Sequence, residues 1–195
     1  GVMYVNGGTF TGDNITASNN TARIGGVMFA SGSKTNVTLN DCTWTNNSAR
    51  NGGAIWIGNG NTHLFNTTFI SNTATAGGGA LWAGMGNVII EECAFIDNTA
   101  TGSSGAGAIY AGGTTSARII NSNFTNNNLS GLSVENCTFT NNSAKKGGAI
   151  FSDTSITVEK SEFIENEANT EGGAIFIYGS NTANIIENLF MNDKA

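Results

Sequence analysis

The sequence predicts an all-β protein that folds as a single right-handed parallel β-helix, and three observations lead to this fold class. One motif recurs every 24 to 29 residues in most of the chain: an aromatic residue, then Asn and Ala, then Gly-Gly-Ala with an aliphatic and an aromatic residue. A repeat of this length is typical of a solenoid. Apolar and polar residues alternate, as in residues 156–158, which indicates strands. The 195 residues include no proline, so nothing interrupts a continuous ladder of strands.

Each coil is numbered from its first aromatic residue, which we call position zero. The crossover rule favours right-handed coils, and we expect one domain over residues 1–195 with about two or three short parallel strands per coil. Position zero is occupied by Ala17, Trp44, Phe69, Phe95, Phe124, Phe139, Phe163 and Phe190. Insertions fall between the recurring positions, so they are expected in turns.

A column of asparagines lies three residues after position zero and is expected to build the rod. It consists of Asn20, Asn47, Asn72, Asn98, Asn127, Asn142 and Asn166. Identical Asn side chains stacked one per coil can pass a ladder of amide hydrogen bonds along the axis. Asn also tolerates the left-handed backbone of a tight corner. A polar row that binds a ligand is the alternative, but the Ala two residues later indicates close packing.

One coil is too short for the pattern. Phe124 and Phe139 are 15 residues apart, and the Gly-Gly-Ala segment between them is absent. Residues 128–134 are therefore predicted to form an irregular or incomplete coil. Either this coil has lost one side, or residues are missing near Gly131. Because a coil without a whole strand would break the parallel ladder, we favour missing residues. The chain also begins and ends within repeat material, so we expect it to be a fragment of a longer repeat protein.

A second aromatic row carries the candidate binding site. It follows Gly-Gly-Ala-aliphatic or its equivalent in each full coil and consists of Phe29, Trp56, Trp82, Tyr110, Phe151 and Phe176. Side chains alternate across a strand, so this row and the neighbouring aliphatic row cannot both face inward. Either the aromatics form an exposed ladder with about 4.8 Å per step, or they fill the core and the aliphatic row is exposed. Periodicity does not decide between these arrangements, and each leaves an apolar stripe that could bind a partner.

The cysteines and the glycosylation sequons are assigned to the rod and to its surface. Cys42, Cys93 and Cys137 share the column two residues before position zero, and another coil separates each from the next. Two coil steps span about 9.6 Å, which exceeds the reach of a disulfide, so we expect three unpaired buried thiols and no disulfide. Asn46 and Asn141 lie in Asn-x-Ser sequons on predicted turns and are possible glycosylation sites.

Charge and composition argue against several classes of function. The chain has 8 Lys and Arg against 14 Asp and Glu, for a net charge of −6, whereas nucleic-acid binding needs clustered basic residues. There is no apolar run of about 18 residues, so we expect no membrane insertion by this segment. His63 is the only histidine and has no neighbouring metal ligands in the sequence. We therefore expect no metal site and no cofactor.

Carboxylates near position zero leave an enzymatic alternative open. Stacked acids on a parallel β-helix could serve as the acid and base of a polysaccharide-degrading lyase or hydrolase. The acids in question are Asp41, Glu91, Glu92, Glu135, Glu159 and Glu187. Across the coils they alternate with Asn and Lys instead of converging, so the sequence favours a non-catalytic protein with no catalytic residues.

The paired motifs resemble the polymorphic outer membrane protein repeat of chlamydial-type, adhesin-like surface proteins. The closest matches are Phe139-Thr-Asn-Asn142-Ser-Ala144 with Gly147-Gly148-Ala149-Ile150, and the equivalent residues 163–168 with 172–175. Ala17, Val27-Met28 and Ala106-Gly107 depart from the pattern. The resemblance implies a right-handed parallel β-helix, an extracellular or cell-surface location and adhesion, with no shared catalytic residues. We therefore expect an adhesin or structural stalk whose partners are a protein or glycan on a host or neighbouring cell, or further copies of itself.

Overall fold

The computed structural model describes residues 1–102, 106–127, 129–130, 133–152 and 155–195. The described residues form strands and no helix, and none of these stretches could cross a membrane as an apolar helix. The strands are β1 Met3–Asp13, β2 Thr16–Ser18, β3 Met28–Asn40, β4 Thr43–Thr45, β5 Ser48–Asn51, β6 Ile55–Ile57, β7 Gly60–Phe65, β8 Thr68–Ile70, β9 Thr73–Gly77, β10 Leu81–Glu91, β11 Ala94–Ile96, β12 Thr99–Ala100, β13 Ile109–Ile120, β14 Asn123–Thr125, β15 Leu129–Ser130, β16 Ser133–Glu135, β17 Thr138–Thr140, β18 Ser143–Lys146, β19 Ile150–Ser152, β20 Ile156–Glu159, β21 Glu162–Ile164, β22 Glu167–Glu171, β23 Ile175–Ile177, β24 Ala183–Ile186 and β25 Leu189–Met191.

These strands stack into a solenoid of about seven turns with parallel sheets along its sides. The first sheet has 12 strands and runs from β1 through β3, β10 and β13 to β23. The second sheet has 8 short strands in coil order, β2-β4-β8-β11-β14-β17-β21-β25. The third sheet is divided into β5-β9-β12 and β18-β22. The all-β solenoid predicted from the repeat is confirmed.

Left-handed residues form the corners on both sides of each second-sheet strand. β4, for example, lies between Asp41 and Asn46, each with φ of 53°. Asn and Asp are frequent at such corners because they adopt this conformation at little cost. The expectation that the ladder asparagines occupy these corners was wrong, because Asn47 and its equivalents follow one residue later and are not among the left-handed residues.

The Gly-Gly pair makes the corner before the first sheet. Gly52 has φ of 62°, which favours glycine. Its neighbour Gly53 has ordinary φ, but a Cβ there would collide with the carbonyl oxygen of Gly79 in the next coil. The two glycines are therefore needed for different reasons, the first for its backbone conformation and the second for close approach between coils.

A row of stacked rings fills the core beneath the second sheet. These rings belong to the zero-position residues that are less than 2% exposed, namely Trp44, Phe69, Phe95, Phe124, Phe139 and Phe163. The centroids of Phe69 and Phe95 lie 4.8 Å apart with only 4° between the ring planes, and the stack continues to Phe190. Aliphatic residues of the first sheet, such as Leu64 and Ile90, pack against this row. The spacing between coils in the parallel sheets therefore also sets the spacing between the rings in the core.

The column of asparagines forms a buried hydrogen-bond ladder. The Asn72 Nδ2 atom donates to Asn98 Oδ1 at 2.9 Å, and the backbone N–H of Asn72 donates to the same oxygen at 3.0 Å. The Asn72 amide also donates to the carbonyl of Trp44 at 2.9 Å. This pattern begins at Asn20 and ends at Asp193, which accepts from Asn166. Each full rung therefore satisfies polar groups in three coils.

The short coil retains two of its three sides. β14 continues the second sheet between β11 and β17, and β15 continues the first sheet between β13 and β19. The described strands include none from this coil in the third sheet, so that sheet alone is interrupted. The argument that a lost strand would break the whole ladder was therefore wrong for two sheets. The expectation of missing residues near Gly131 concerns residues 131 and 132, which lie outside the described residues.

Candidate functional site

The second aromatic row faces outward, and the aliphatic row beside it fills the core. Ile55, Leu81 and Ile109 are fully buried, whereas Trp56 and Trp82 are half-buried. Phe29, Tyr110, Phe151 and Phe176 are half-buried in the same way. The arrangement that periodicity left open is thus decided in favour of an exposed ladder. All six predicted side chains lie on one face of the first sheet.

Most of these outward rings stack face to face along the axis. The centroid distances are 4.5 Å from Phe29 to Trp56, 5.0 Å from Trp56 to Trp82 and 5.8 Å from Trp82 to Tyr110, and the ring planes are nearly parallel. Tyr4 extends the stack at 5.3 Å from Phe29 and is 70% exposed. The sequence prediction missed Tyr4, although Gly1-Val2-Met3-Tyr4 matches Gly26-Val27-Met28-Phe29 closely enough to have found it.

Glycines lie beneath three of the rings. Gly58, Gly84 and Gly112 each follow a ladder residue by two positions, on the same outward face of the strand. A Cβ at Gly84 would lie 2.7 Å from Cζ3 of Trp82, and a Cβ at Gly112 would lie 2.7 Å from Cε1 of Tyr110. The rings therefore extend along the strand over bare backbone. Sequence reasoning assigned these glycines no role.

The ladder is interrupted at the short coil. Strand register places Ser130 level with Tyr110 on one side and with Phe151 on the other, and serine carries no ring. Phe151 and Phe176 then stack at 5.7 Å, with the Lys146 ammonium 4.6 Å from the centroid of Phe176. Lys146 also pairs with Glu171. Within the stack each ring covers the faces of its neighbours, so mainly ring edges face outward, and Tyr110 and Phe151 lie two coil steps apart across the break.

The carboxylates do not assemble into one site. Asp41 Oδ1 accepts from Asn66 at 2.6 Å, and Glu91 contacts His63 Nε2 at 2.7 Å. Glu92 and Glu187 occupy left-handed corners elsewhere. In the described part of the chain, no group of three His, Cys, Asp or Glu side chains could hold a metal ion.

Glu135 and Glu159 are the exception, because they are neighbours in strand register. Glu135 also pairs with the Arg118 guanidinium, and all three line a shallow cleft of about 350 Å³. Ile120 separates Glu135 from Glu91 in the same outward column. Of the six carboxylates predicted from the sequence, Glu135 and Glu159 are the two that lie side by side on one cleft.

The three cysteines are buried, free and part of the rod. The Cys93 Sγ donates to the carbonyl of Glu91 at 3.2 Å, and Cys137 does the same to Glu135. Burial raises the pKa of the Cys93 thiol to about 12 and that of Cys137 to about 11. These thiols are therefore neutral hydrogen-bond donors and not nucleophiles at neutral pH.

The two sequon asparagines lie at exposed corners. Asn46 and Asn141 have φ of 53° and 54°, and their side chains are open to solvent. Glycosylation at these positions stays a prediction.

Comparison with known proteins identifies one family. A family model described as a right-handed β-helix region matches residues 55–195. No curated protein and no solved structure matches the chain. The match includes five of the outward rings, from Trp56 to Phe176, and it extends to the pair Glu135 and Glu159.

Proposed function

The chain belongs to the right-handed β-helix family, and we propose that it is a non-catalytic cell-surface protein, an adhesin or structural stalk. In this proposal the solenoid is a rigid rod, and the outward aromatic ladder is its binding face. The partner is a protein or glycan on a host or neighbouring cell, or a further copy in a surface assembly. The resemblance to the polymorphic outer membrane protein repeat supports the extracellular or cell-surface location.

The outward ladder is the observation that carries this proposal. The fold already has a continuous row of rings in its core, so the second row is not needed to fill the interior. Five consecutive half-exposed or exposed rings, from Tyr4 to Tyr110, form a contiguous apolar stripe instead. Such stripes mark interaction sites, and Trp and Tyr contribute strongly to binding energy when a partner buries them.

Binding to cells and to immobilised glycans tests the proposal. We expect Trp56→Ala and Trp82→Ala each to weaken binding at least about tenfold, because each removes a central ring. Ile89→Ala is the matched control, since Ile89 is a 41% exposed apolar residue on the outer face of the same sheet. Circular dichroism should show that all three variants keep the fold. Unchanged binding in both Trp variants, or an equal loss in Ile89→Ala, would contradict the proposal.

A polysaccharide-degrading enzyme is the second candidate, and the pair Glu135 and Glu159 is the observation in its favour. Register neighbours in a parallel sheet are about 4.8 Å apart at Cα, which is compatible with two carboxylates flanking one glycosidic bond. Arg118 could orient a substrate carboxylate in the same cleft. Cleavage of a polysaccharide that is lost in both Glu135→Gln and Glu159→Gln would favour this candidate over adhesion.

A further inference from the structure

The interruption of the third sheet leaves two strand edges facing each other. β12 pairs with β9 on one side, and β18 pairs with β22 on one side. In the second sheet, a single strand, β14, lies between the same two coils. The edges of β12 and β18 are therefore two strand spacings apart, about 9.6 Å, which is the width of one absent strand. We call this gap the third-sheet notch.

The short coil itself cannot supply the absent strand. One residue of the sequence separates Asn127, in the ladder of asparagines, from Leu129, in the first sheet. A residue spans at most about 3.5 Å. In a full coil the equivalent connection from Asn72 to Leu81 includes the whole of β9. The notch is thus a consequence of chain length and not of a loop conformation.

A cavity occupies the notch and is lined by both edges. Its volume is about 310 Å³, and the lining includes Thr99 and Ala100 of β12 and Ser143, Ala144 and Lys145 of β18. The buried side chain of Asn127 contributes to the floor. The site is therefore a groove between two strand edges with a polar floor.

The burial of one alanine column shows what the notch lacks. Ala74, with a third-sheet strand on each side, is 0% exposed. Ala100 and Ala144 occupy the same column beside the notch and are only half-buried. A strand in the notch would cover both alanines and pair the N–H and C=O groups that an edge strand leaves open.

We propose that the third-sheet notch binds an extended segment of a partner polypeptide, which adds as a parallel strand between β12 and β18. The segment carries Ala or Gly level with Ala100 and Ala144, because the coils pack too closely there for a larger side chain. Polar residues flank this position, as Thr73 and Thr75 flank Ala74 in the protein itself. The notch lies on a different sheet from the aromatic ladder, so this interaction is separate from the proposed adhesion.

A peptide with the sequence of residues 72–77, Asn-Thr-Ala-Thr-Ala-Gly, is the probe. Fluorescence anisotropy with the full chain should show saturable binding with a Kd at or below about 1 mM. Replacing the first Ala of the peptide by Leu, or by Pro, should weaken binding at least about tenfold, since Leu does not fit and Pro cannot donate to an edge. Hydrogen exchange of the amides of β12 and β18 should slow in the complex.

Two protein variants locate the site. Ala100→Leu should weaken binding of the peptide at least about tenfold, because the larger side chain enters the notch. Ala76→Leu is the matched control, because Ala76 is a half-buried alanine on β9, one coil away. This variant should bind the peptide as tightly as the wild-type chain does. Three results would overturn the proposal: no saturable binding by the wild-type chain, binding of the Leu or Pro peptide as tight as that of the unmodified peptide, or exchange protection elsewhere than in β12 and β18.

Discussion

The molecule contains two parallel stacks of aromatic rings, one inside and one outside, and they differ in continuity. The inner stack runs from Trp44 to Phe190 and passes through the short coil without a gap, because Phe124 and Phe139 are 5.0 Å apart. The outer stack is interrupted in that same coil, at Ser130. A missing inner ring would leave a cavity that the close-packed core could not fill, whereas solvent fills a gap outside. Folding therefore requires the inner stack, whereas the outer stack can be interrupted without a cavity in the core, which agrees with the binding role proposed for it.

The largest expected effect distinguishes the two stacks by stability. Phe95→Ala should lower the free energy of unfolding by about 3–5 kcal/mol, because a fully buried ring with a neighbour on each face is lost. Trp82→Ala should cost only about 1–2 kcal/mol, since its ring is half-exposed and contributes mainly through stacking. Chemical denaturation of both variants measures the difference. Equal losses would mean that the outer stack is part of the structural core.

A second prediction applies the same comparison to two rows of asparagine. Asn72 lies in the buried ladder, while Asn61 lies in an exposed row in which Asn87 Nδ2 donates to Asn61 Oδ1 at 3.2 Å. Asn72→Ala should cost about 2–3 kcal/mol, because it leaves buried polar groups of the neighbouring coils without partners. Asn61→Ala should change stability by less than about 0.5 kcal/mol, since water replaces the lost bonds. Urea titrations of the two variants test this, and a large loss in Asn61→Ala would contradict it.

The inner features could be predicted from sequence, and the outer ones only in part. The zero column and the Asn column both lie inside the solenoid, where packing repeats the same residue types in every coil. The direction of the second aromatic row could not be assigned, because Ile55 and Trp56 are both apolar and a one-residue shift in register is invisible to periodicity. The sequence revealed the short coil but not which side it lacks. That depended on the pairing of β15, which only the structure provides.

The buried cysteines predict a smaller, pH-dependent effect. The folded-state pKa values of Cys93 and Cys137, about 12 and about 11, lie above the ordinary thiol value. The unfolded state therefore loses these protons first as the pH rises, so the stabilisation is complete below about pH 9 and is lost above it. At one pH unit above the ordinary thiol pKa, each thiol should reduce stability by about 1 kcal/mol.

Comparison with Cys93→Ala at pH 8 and pH 10 isolates this contribution. The variant loses some stability at both pH values through packing, and its further loss between pH 8 and pH 10 should be smaller than that of the wild-type chain. Urea titrations at the two pH values give both quantities. An identical pH dependence in the variant would mean that the Cys93 thiol is not protected by burial. A thiol reagent should also leave the native thiols unmodified at pH 8 and modify them on unfolding.

The smallest expected effect is a gain in stability at Asp193, where the ladder of asparagines ends. Asp193 occupies the Asn column and accepts from Asn166 through Oδ1, but its buried Oδ2 has no hydrogen-bond partner. In the preceding coil the equivalent amide nitrogen, Asn166 Nδ2, donates to the carbonyl of Phe139 at 3.1 Å. Asp193→Asn places an amide where Oδ2 lies and so provides the same donor toward Phe163. We expect a gain of about 0.5–1 kcal/mol, because one hydrogen bond is formed and a buried unpaired oxygen is removed.

Thermal unfolding of Asp193→Asn and of Asp193→Ala tests whether the ladder geometry continues to this last rung. The Ala variant removes the acceptor for Asn166 and should be less stable than the wild-type chain. Higher stability of Asp193→Asn together with lower stability of Asp193→Ala would show that the ladder of asparagines extends to residue 193. If Asn and Ala both reduce stability, the negative charge of the carboxylate is itself required at position 193 of the Asn column.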